Sequence, residues 1–131
     1  TCAEAIAFHA DFKRHLRNVP VNTIIKFDNV QLNKGKGYDP KTGVFTAPED
    51  GLYSFDWLSM STRGASLYLC VVVDHDCRVG TCIDKQQSGS TTGHFVTDLK
   101  KGSRVWIRVA YRNAQLINGA LYNYFSGFKI N

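Results

Sequence analysis

Hydrophobic and polar residues alternate with a period of two in several short stretches of this chain. In the clearest one, Tyr53, Phe55 and Trp57 fall on one side, while Ser54 and Asp56 fall on the other. This pattern is typical of a β-strand that is buried on one face only. The stretch therefore predicts a strand whose three aromatic residues enter the core, and it continues to Thr62.

The same alternation predicts further strands over residues 22–30, 94–99, 103–111 and 121–130. In the strand over residues 103–111 it assigns opposite faces to two sets of residues, with Val105, Ile107, Val109 and Tyr111 directed inward and Arg104, Trp106 and Arg108 directed outward. In the last strand one face carries Tyr122, Tyr124, Phe128 and Ile130.

Residues 66–73 differ because they are apolar on both sides. A strand of this kind in an antiparallel protein needs cover on both faces. We expect the core to cover one face and a neighbouring subunit to cover the other.

Turn signals separate these stretches. Glycine and proline mark turns at residues 34–37, 39–43 and 47–51, Asn118-Gly119 predicts a hairpin, and residues 86–93 read as a loop. About eight to ten short strands without a long helix predict an all-β fold, a two-sheet antiparallel jelly-roll sandwich. The apolar residues within residues 3–16 fit both the spacing of an amphipathic helix and the alternation of a strand, so the pattern leaves this segment open.

One set of spaced residues resembles the signature of the globular head of complement component 1q, namely Phe27, Asn33, Tyr38, Phe45, Gly51 and Tyr53-x-Phe55-x-Trp57. Trp57 departs from the family, which usually has Phe or Tyr there. Three flanking segments are also similar to family landmarks, Ala7-Phe8, Leu99 to Trp106 and Phe125 to Phe128. Ser103 replaces the usual acidic residue.

The resemblance implies a fold similar to tumour necrosis factor and assembly into a homotrimer. It also implies a first strand through Ile6 to Ala10 and a short second strand before Pro20. The function it implies is that of a secreted, lectin-like module of innate immunity that recognises microbial polysaccharide, lipopolysaccharide or sialylated glycans, as stand-alone invertebrate members do. The alternative is a structural or signalling extracellular trimer, either a cytokine-like ligand or a matrix component.

The length of 131 residues predicts one domain, covering residues 1–131, and no apolar run is long enough to span a membrane. The chain starts Thr1-Cys2, which favours a processed or excised chain over a complete one. No Gly-X-Y repeat, and so no collagen stalk, occurs within it. Its net charge of +5 favours anionic partners, although such an excess also serves solubility.

Four cysteines, Cys2, Cys70, Cys77 and Cys82, suit an oxidising compartment. A three-residue loop over residues 75–77 would place Cys70 opposite Cys82, so this pair is the predicted disulfide. Cys2 and Cys77 are then bridged to each other, joined to another chain, or free.

The ligand-binding candidates are positively charged, aromatic or amide residues on the outward stripe and at strand ends, namely Arg104, Trp106, Arg108, Arg63, Arg112 and Asn113. Asp74 and Asp76 are the candidate calcium ligands, since they are closely spaced hard donors. The candidate core and trimer-contact residues are Tyr53, Phe55, Trp57, Tyr68, Val72, Tyr122 and Tyr124. No catalytic arrangement and no nucleic-acid-binding array stands out.

Overall fold

The computed structural model describes residues 4–84 and 88–131, and within those ranges the chain forms twelve β-strands and no helix. The strands are β1 (Ala7–Asp11), β2 (Leu16–Val19), β3 (Asn29–Lys34), β4 (Tyr38–Asp39), β5 (Val44–Thr46), β6 (Gly51–Thr62), β7 (Leu67–Val73), β8 (Asp76–Ile83), β9 (Ser88–Leu99), β10 (Arg104–Val109), β11 (Ala114–Ile117) and β12 (Tyr124–Lys129). None of the described residues belongs to a helix that could cross a membrane.

Two antiparallel five-stranded sheets form the sandwich. The first sheet has the order β3-β1-β12-β6-β9, and the second has the order β4-β5-β10-β7-β8. A small third sheet pairs β11 with β2. Strands adjacent in sequence are often not adjacent in a sheet, which is the crossover pattern of a jelly roll. The predicted fold class is confirmed.

The aromatic residues of the signature and of its flanking segments meet between the two sheets. The ring of Phe8 stacks on Tyr38 and on Phe45, with centroid distances of 5.0 Å and 4.9 Å, and Phe125 meets Phe8 edge-on. Tyr53, Phe55 and Trp57 are all fully buried. Each buried aromatic side chain stabilises the fold by roughly 1.5–3 kcal/mol relative to exposure, so this layer contributes strongly to the core.

Two polar side chains tie the signature segments together. The Tyr38 hydroxyl accepts a hydrogen bond from the Phe27 N–H at 3.1 Å and donates one to the Phe27 carbonyl at 2.8 Å. The Asn33 amide closes the turn before β4, donating to the Tyr38 carbonyl at 2.8 Å and accepting from the Tyr38 N–H at 3.2 Å. That turn contains Gly35 at φ 81°, where glycine avoids backbone strain.

The ambiguous N-terminal residues form strands, and β1 and β2 confirm the prediction for this region. The strand predicted over residues 22–30 is wrong in part. Asn22 has a φ of 73°, and between Asn22 and Asp28 only Ile24 forms a ladder bridge, with Arg108. This segment instead runs beside β10 through irregular hydrogen bonds, such as the Ile25 N–H to the Ile107 carbonyl at 2.8 Å. Ile25 and Phe27 of this segment are nevertheless buried in the core.

The loop predicted over residues 86–93 is also wrong from Ser88 onward. There the chain is part of β9, which pairs residue by residue with the whole of β6 from Gly51 to Thr62. The small polar residues that suggested a loop form the ladder here. Gln86 and Gln87 lie outside the described residues.

Asn118-Gly119 does not form a hairpin, because its flanking strands have other partners. β11 pairs with β2, and β12 pairs with β1 and β6. Glycine is required at position 119 for a different reason. A Cβ there would lie 2.5 Å from the Lys13 carbonyl oxygen, so the backbones of two loops approach too closely for a side chain.

Candidate functional site

Strand β10 supplies the three residues at the centre of the site. Its alternation is as predicted, since Val105, Ile107 and Val109 are fully buried in the core. Arg104, Trp106 and Arg108 therefore lie on the side of the second sheet that faces away from the core. Tyr111 was predicted to face inward, which is wrong: it lies beyond the strand and is 74% exposed.

Trp106 covers the second apolar face of β7. It packs with Cys70 and Val72 in a small cluster of its own, against which Ile24, Val44 and Ala110 pack. Cys70 and Val72 are consequently buried within a single copy of the chain. The expectation that a neighbouring subunit covers this face is wrong, because the chain provides the cover itself.

A shallow groove of about 400 Å³ lies over this cluster, and we call it the outer groove. It is lined by Arg104, Trp106, Arg108, His75, Asn22, Ile24, Val44 and Val72. Three predicted ligand-binding residues thus share one concave surface. The ring of His75 meets the Trp106 ring edge-on, with centroids 5.6 Å apart.

The arginine side chains of the groove have few partners. The Arg108 guanidinium donates to the Asn22 amide oxygen at 3.2 Å and to the Val109 carbonyl at 3.5 Å. In the described part of the chain, neither Arg104 nor Arg108 forms an ion pair with a carboxylate. Their charges are therefore available to an incoming anion.

The remaining predicted ligand-binding residues lie elsewhere. Arg63 follows β6 with a φ of 63° and does not line the outer groove. The side-chain oxygen of Asn113 accepts a hydrogen bond from the Val21 N–H at 2.9 Å, so this amide fixes a neighbouring loop. Arg112 stacks over the rings of Tyr68 and Tyr111.

Asp74 and Asp76 lie at the turn between β7 and β8, and both are exposed. Asp74 accepts a hydrogen bond from the Arg104 backbone N–H at 2.8 Å, which fastens this turn to the start of β10. Across residues 4–84 and 88–131, no group of three or more His, Cys, Asp or Glu side chains could hold a metal ion.

The candidate trimer-contact residues differ in how deeply their side chains are buried. Tyr53, Phe55, Trp57 and Val72 are buried inside one copy and offer no surface to another. Tyr68 is partly exposed on the second sheet, and Tyr122 is 52% exposed in the loop before β12. Tyr124 is partly buried on the outer side of the first sheet, with its ring 5.2 Å from His9.

The predicted disulfide between Cys70 and Cys82 is wrong. Cys70 is bridged to Cys77, with their Cα atoms 5.9 Å apart, and Cys82 is a free, exposed cysteine. The loop has two residues instead of three, with Asp74 at φ 47° and His75 at φ 82°. The pairing of β7 with β8 also shifts by one residue, at a bulge between Val71 and Val72 on the β7 side. This register places Cys82 opposite Tyr68. Cys2 lies outside the described residues.

The pattern of the sequence did not identify several residues of the groove. Asn22 and Ile24 reach it from an irregular segment, Val44 comes from β5, and His75 comes from a turn. The sequence indicated that the outer face of β7 needs cover and that Trp106 points outward on β10, but it did not show that Trp106 provides this cover.

The fold and the exposed groove define a jelly-roll binding module. Residues 7–130 match the model of the C1q domain, and the chain belongs to the C1q domain family. Membership of this family makes it a non-enzymatic module.

Relatives support this assignment. Human Multimerin-2 is 31% identical over 127 residues, a match that covers 95% of this chain and 13% of Multimerin-2. The heavy metal-binding protein HIP of Mytilus edulis is 29% identical over 102 residues, covering 76% of this chain and 48% of HIP. The chain thus spans less than half of either relative.

Among solved structures, the globular domain of zebrafish complement 1qA protein superposes with a TM-score of 0.79 at 23% sequence identity. The match covers 96% of this chain and 98% of that domain. This likeness shows the fold.

Proposed function

We propose that this chain is a secreted, self-associating recognition module that binds anionic groups on microbial surface glycans through its outer groove. The observation that supports this proposal most directly is the pair of arginines beside Trp106, which have no carboxylate partner among the described residues. Family membership and an intrachain disulfide support an extracellular location.

The chemistry of the groove suits phosphate or carboxylate groups. A guanidinium presents a planar fork of N–H donors that pairs with either anion through two parallel hydrogen bonds. Ile24, Val44 and Trp106 give the groove an apolar floor beside these donors. Sugars of bacterial lipopolysaccharide and sialylated glycans combine both features, an anionic group and an apolar ring face.

Self-association would present several copies of this weak site together. Domains of this family generally form trimers, and the first sheet offers a suitable surface. On its outer side Leu32, Val96 and Phe128 are between 40% and 47% exposed, and we call this surface the apolar face. A second copy is the occupant we propose for it, because several exposed hydrophobic side chains on one sheet face, here interleaved with polar residues such as His9, Asp56 and His94, mark an interaction surface. Linked sites then gain avidity for repetitive microbial surfaces.

Binding to immobilised lipopolysaccharide, peptidoglycan, mannan and sialylated glycan tests the proposal. We expect salt-sensitive binding to the anionic surfaces and little to mannan. The double variant Arg104→Gln/Arg108→Gln should weaken that binding by about tenfold or more, because each lost charge-assisted hydrogen bond is worth roughly 1.5–3 kcal/mol.

The matched control is Lys100→Gln/Lys101→Gln, which removes the same number of charges from an exposed loop outside the groove. Equal losses in both double variants would mean that only net charge matters, and the groove would have no specific role. If the chain binds none of these surfaces but binds a cell-surface receptor tightly, a signalling trimer would be favoured instead.

A further inference from the structure

A strained turn follows β10 on the same side of the second sheet as the outer groove. The Arg112 N–H donates to the Ala110 carbonyl at 2.7 Å, which closes a three-residue γ-turn with Tyr111 at its centre. Tyr111 has a φ of 66°, a backbone conformation that costs free energy in a bulky residue. Such strain at an exposed aromatic residue points to a function for its position.

The turn brings two aromatic rings and a guanidinium together. The rings of Tyr68 and Tyr111 lie 5.0 Å apart, and the Arg112 guanidinium carbon lies 5.4 Å and 4.9 Å from their respective centroids. We call these three residues the tyrosine corner. A guanidinium that stacks on ring faces keeps its N–H donors free in its own plane. No carboxylate lies within ion-pair distance of Arg112 in the described ranges.

The tyrosine corner borders a small, mostly apolar pocket. Its volume is about 230 Å³, and Leu69, Gly80, Ala110 and the Cys70–Cys77 disulfide contribute to its lining. A pocket below the size of a typical drug site has room for a fragment such as one monosaccharide. The disulfide and the β7–β8 ladder make its floor rigid.

The groups around Tyr68 polarise the rim of this pocket. Partial burial, followed by the nearby Asp84 carboxylate, raises the pKa of Tyr68 above its ordinary value. A tyrosine hydroxyl is protonated at neutral pH, and Asp84 also accepts a hydrogen bond from Ser66 at 2.9 Å. Because the Tyr68 hydroxyl is hydrogen-bonded to Asp84, sugar hydroxyl groups meet oxygen acceptors here, while Arg112 provides the positive charge.

We infer that the tyrosine corner is a second binding subsite, specific for a pyranose ring that bears a carboxylate. Tyr111 stacks on the apolar face of the ring, Arg112 pairs with the carboxylate, and the pocket receives a ring substituent. This inference deepens the proposed function and rests on it, since a glycan chain would contact the outer groove and the tyrosine corner on one side of the second sheet.

Titration with single sugars, followed by protein NMR, separates the two sites. The probes are methyl glucuronide and methyl sialoside, with methyl glucoside as the neutral control. We expect a dissociation constant of about a millimolar for an acidic sugar, and binding of the glucoside at least about tenfold weaker. The relative affinity of the two acidic probes identifies the source of the carboxylate.

Variants assign the binding to residues. Arg112→Gln and Tyr111→Ala should each weaken acidic-sugar binding by about tenfold, and Arg112→Lys should not rescue it, because an ammonium lacks the planar fork. Tyr111→Phe keeps the stacking ring and should bind nearly as well as the unaltered chain. Lys100→Gln/Lys101→Gln, which removes two charges outside both sites, should leave single-sugar binding unchanged. Thermal melting of each variant verifies folding.

Equal binding of the glucoside and the glucuronide, or full binding by Arg112→Gln, would overturn the inference. If the glycan surfaces still depend on Arg104 and Arg108 in that case, the proposed function stands without this subsite. If neither Arg112→Gln nor Arg104→Gln/Arg108→Gln affects binding of any glycan, both proposals fail together.

Discussion

Trp57 is the residue at which this chain departs from its family signature, and the structure shows how the larger ring is accommodated. Its partner across the β6–β9 ladder is Gly93, and a Cβ at that position would overlap the indole ring. The indole N–H donates to the Thr81 hydroxyl at 3.1 Å. The tryptophan and the glycine are therefore complementary in size.

Gly93→Ala should lower the free energy of unfolding by about 2 kcal/mol or more, because the added methyl group has no space beside Trp57. Trp57→Phe provides that space, so the double variant should be more stable than the sum of the two single effects predicts. Urea denaturation measures all three variants.

Gly80→Ala is the control for this cycle. A Cβ at position 80 meets only the Leu69 carbonyl oxygen at an ordinary 3.6 Å, so the substitution should be close to neutral. If the effects of Trp57→Phe and Gly93→Ala on the free energy of unfolding simply add, the two positions are not packed against each other as described.

The pKa of Tyr38 determines how the free energy of unfolding changes at alkaline pH. Burial, which outweighs its hydrogen bond to Phe27, raises the pKa of Tyr38 far above its ordinary value of 10.0. Above about pH 10 the unfolded chain releases this proton while the folded chain retains it, so the free energy of unfolding falls as pH rises. Below pH 10 this contribution is fully present.

In Tyr38→Phe the free energy of unfolding should fall less steeply with pH above about pH 10, by the equivalent of up to one proton. At neutral pH the free energy of unfolding should fall by roughly 1–3 kcal/mol, because the hydrogen bonds to Phe27 are lost. Denaturation at a series of pH values between 7 and about 11 measures both effects. An unchanged slope would show that another group dominates there.

At the scale of elements, alternation identified the strands that carry the core and the site. β6, β7 and β10 were predictable because each has a strict period of two or an unbroken apolar run. β9 was missed in part because Ser, Thr and Gly are as common in loops as in a ladder. The segment before β3 was misjudged because its hydrogen bonds to β10 depend on contacts distant in sequence.

The β7–β8 hairpin shows why the cysteine pairing could not be read from the chain. A change of a single residue in loop length, together with a bulge, decides which cysteine lies near Cys70. Only the backbone at Asp74 and His75 fixes that length, and both residues adopt the left-handed conformation that suits a two-residue hairpin loop.

Peptide mapping without reduction should recover Cys70 linked to Cys77, and Cys82 should react with a thiol reagent in the folded protein. Cys77→Ala should lower the free energy of unfolding by about 2 kcal/mol, the value for closing a short loop. Cys82→Ser is the matched control and should be nearly neutral. Recovery of a Cys70–Cys82 peptide would contradict the observed register.

At the scale of the whole molecule, the two sheets have different roles in this account. The first sheet presents the apolar face, while the second presents the outer groove and the tyrosine corner. The stripe of β10 was predictable, whereas its neighbours His75, Asn22 and Val44 come from three separate parts of the chain. A local pattern cannot show such an arrangement.

Phe128→Asp should dissociate the assembly without unfolding the chain, because it places a charge on the apolar face where Phe128 is 47% exposed. Leu121→Asp is the control, since Leu121 is 79% exposed in the loop before β12 and outside the first sheet. Binding to a glycan-coated surface should fall in Phe128→Asp through lost avidity, while affinity for a single sugar stays the same.

Sedimentation equilibrium over a wide range of concentrations tests the central claim most directly. The account predicts a particle with three times the 14.7 kDa mass of the chain, and a shift to the mass of one chain in Phe128→Asp. A particle that keeps the mass of one chain at every concentration would contradict it.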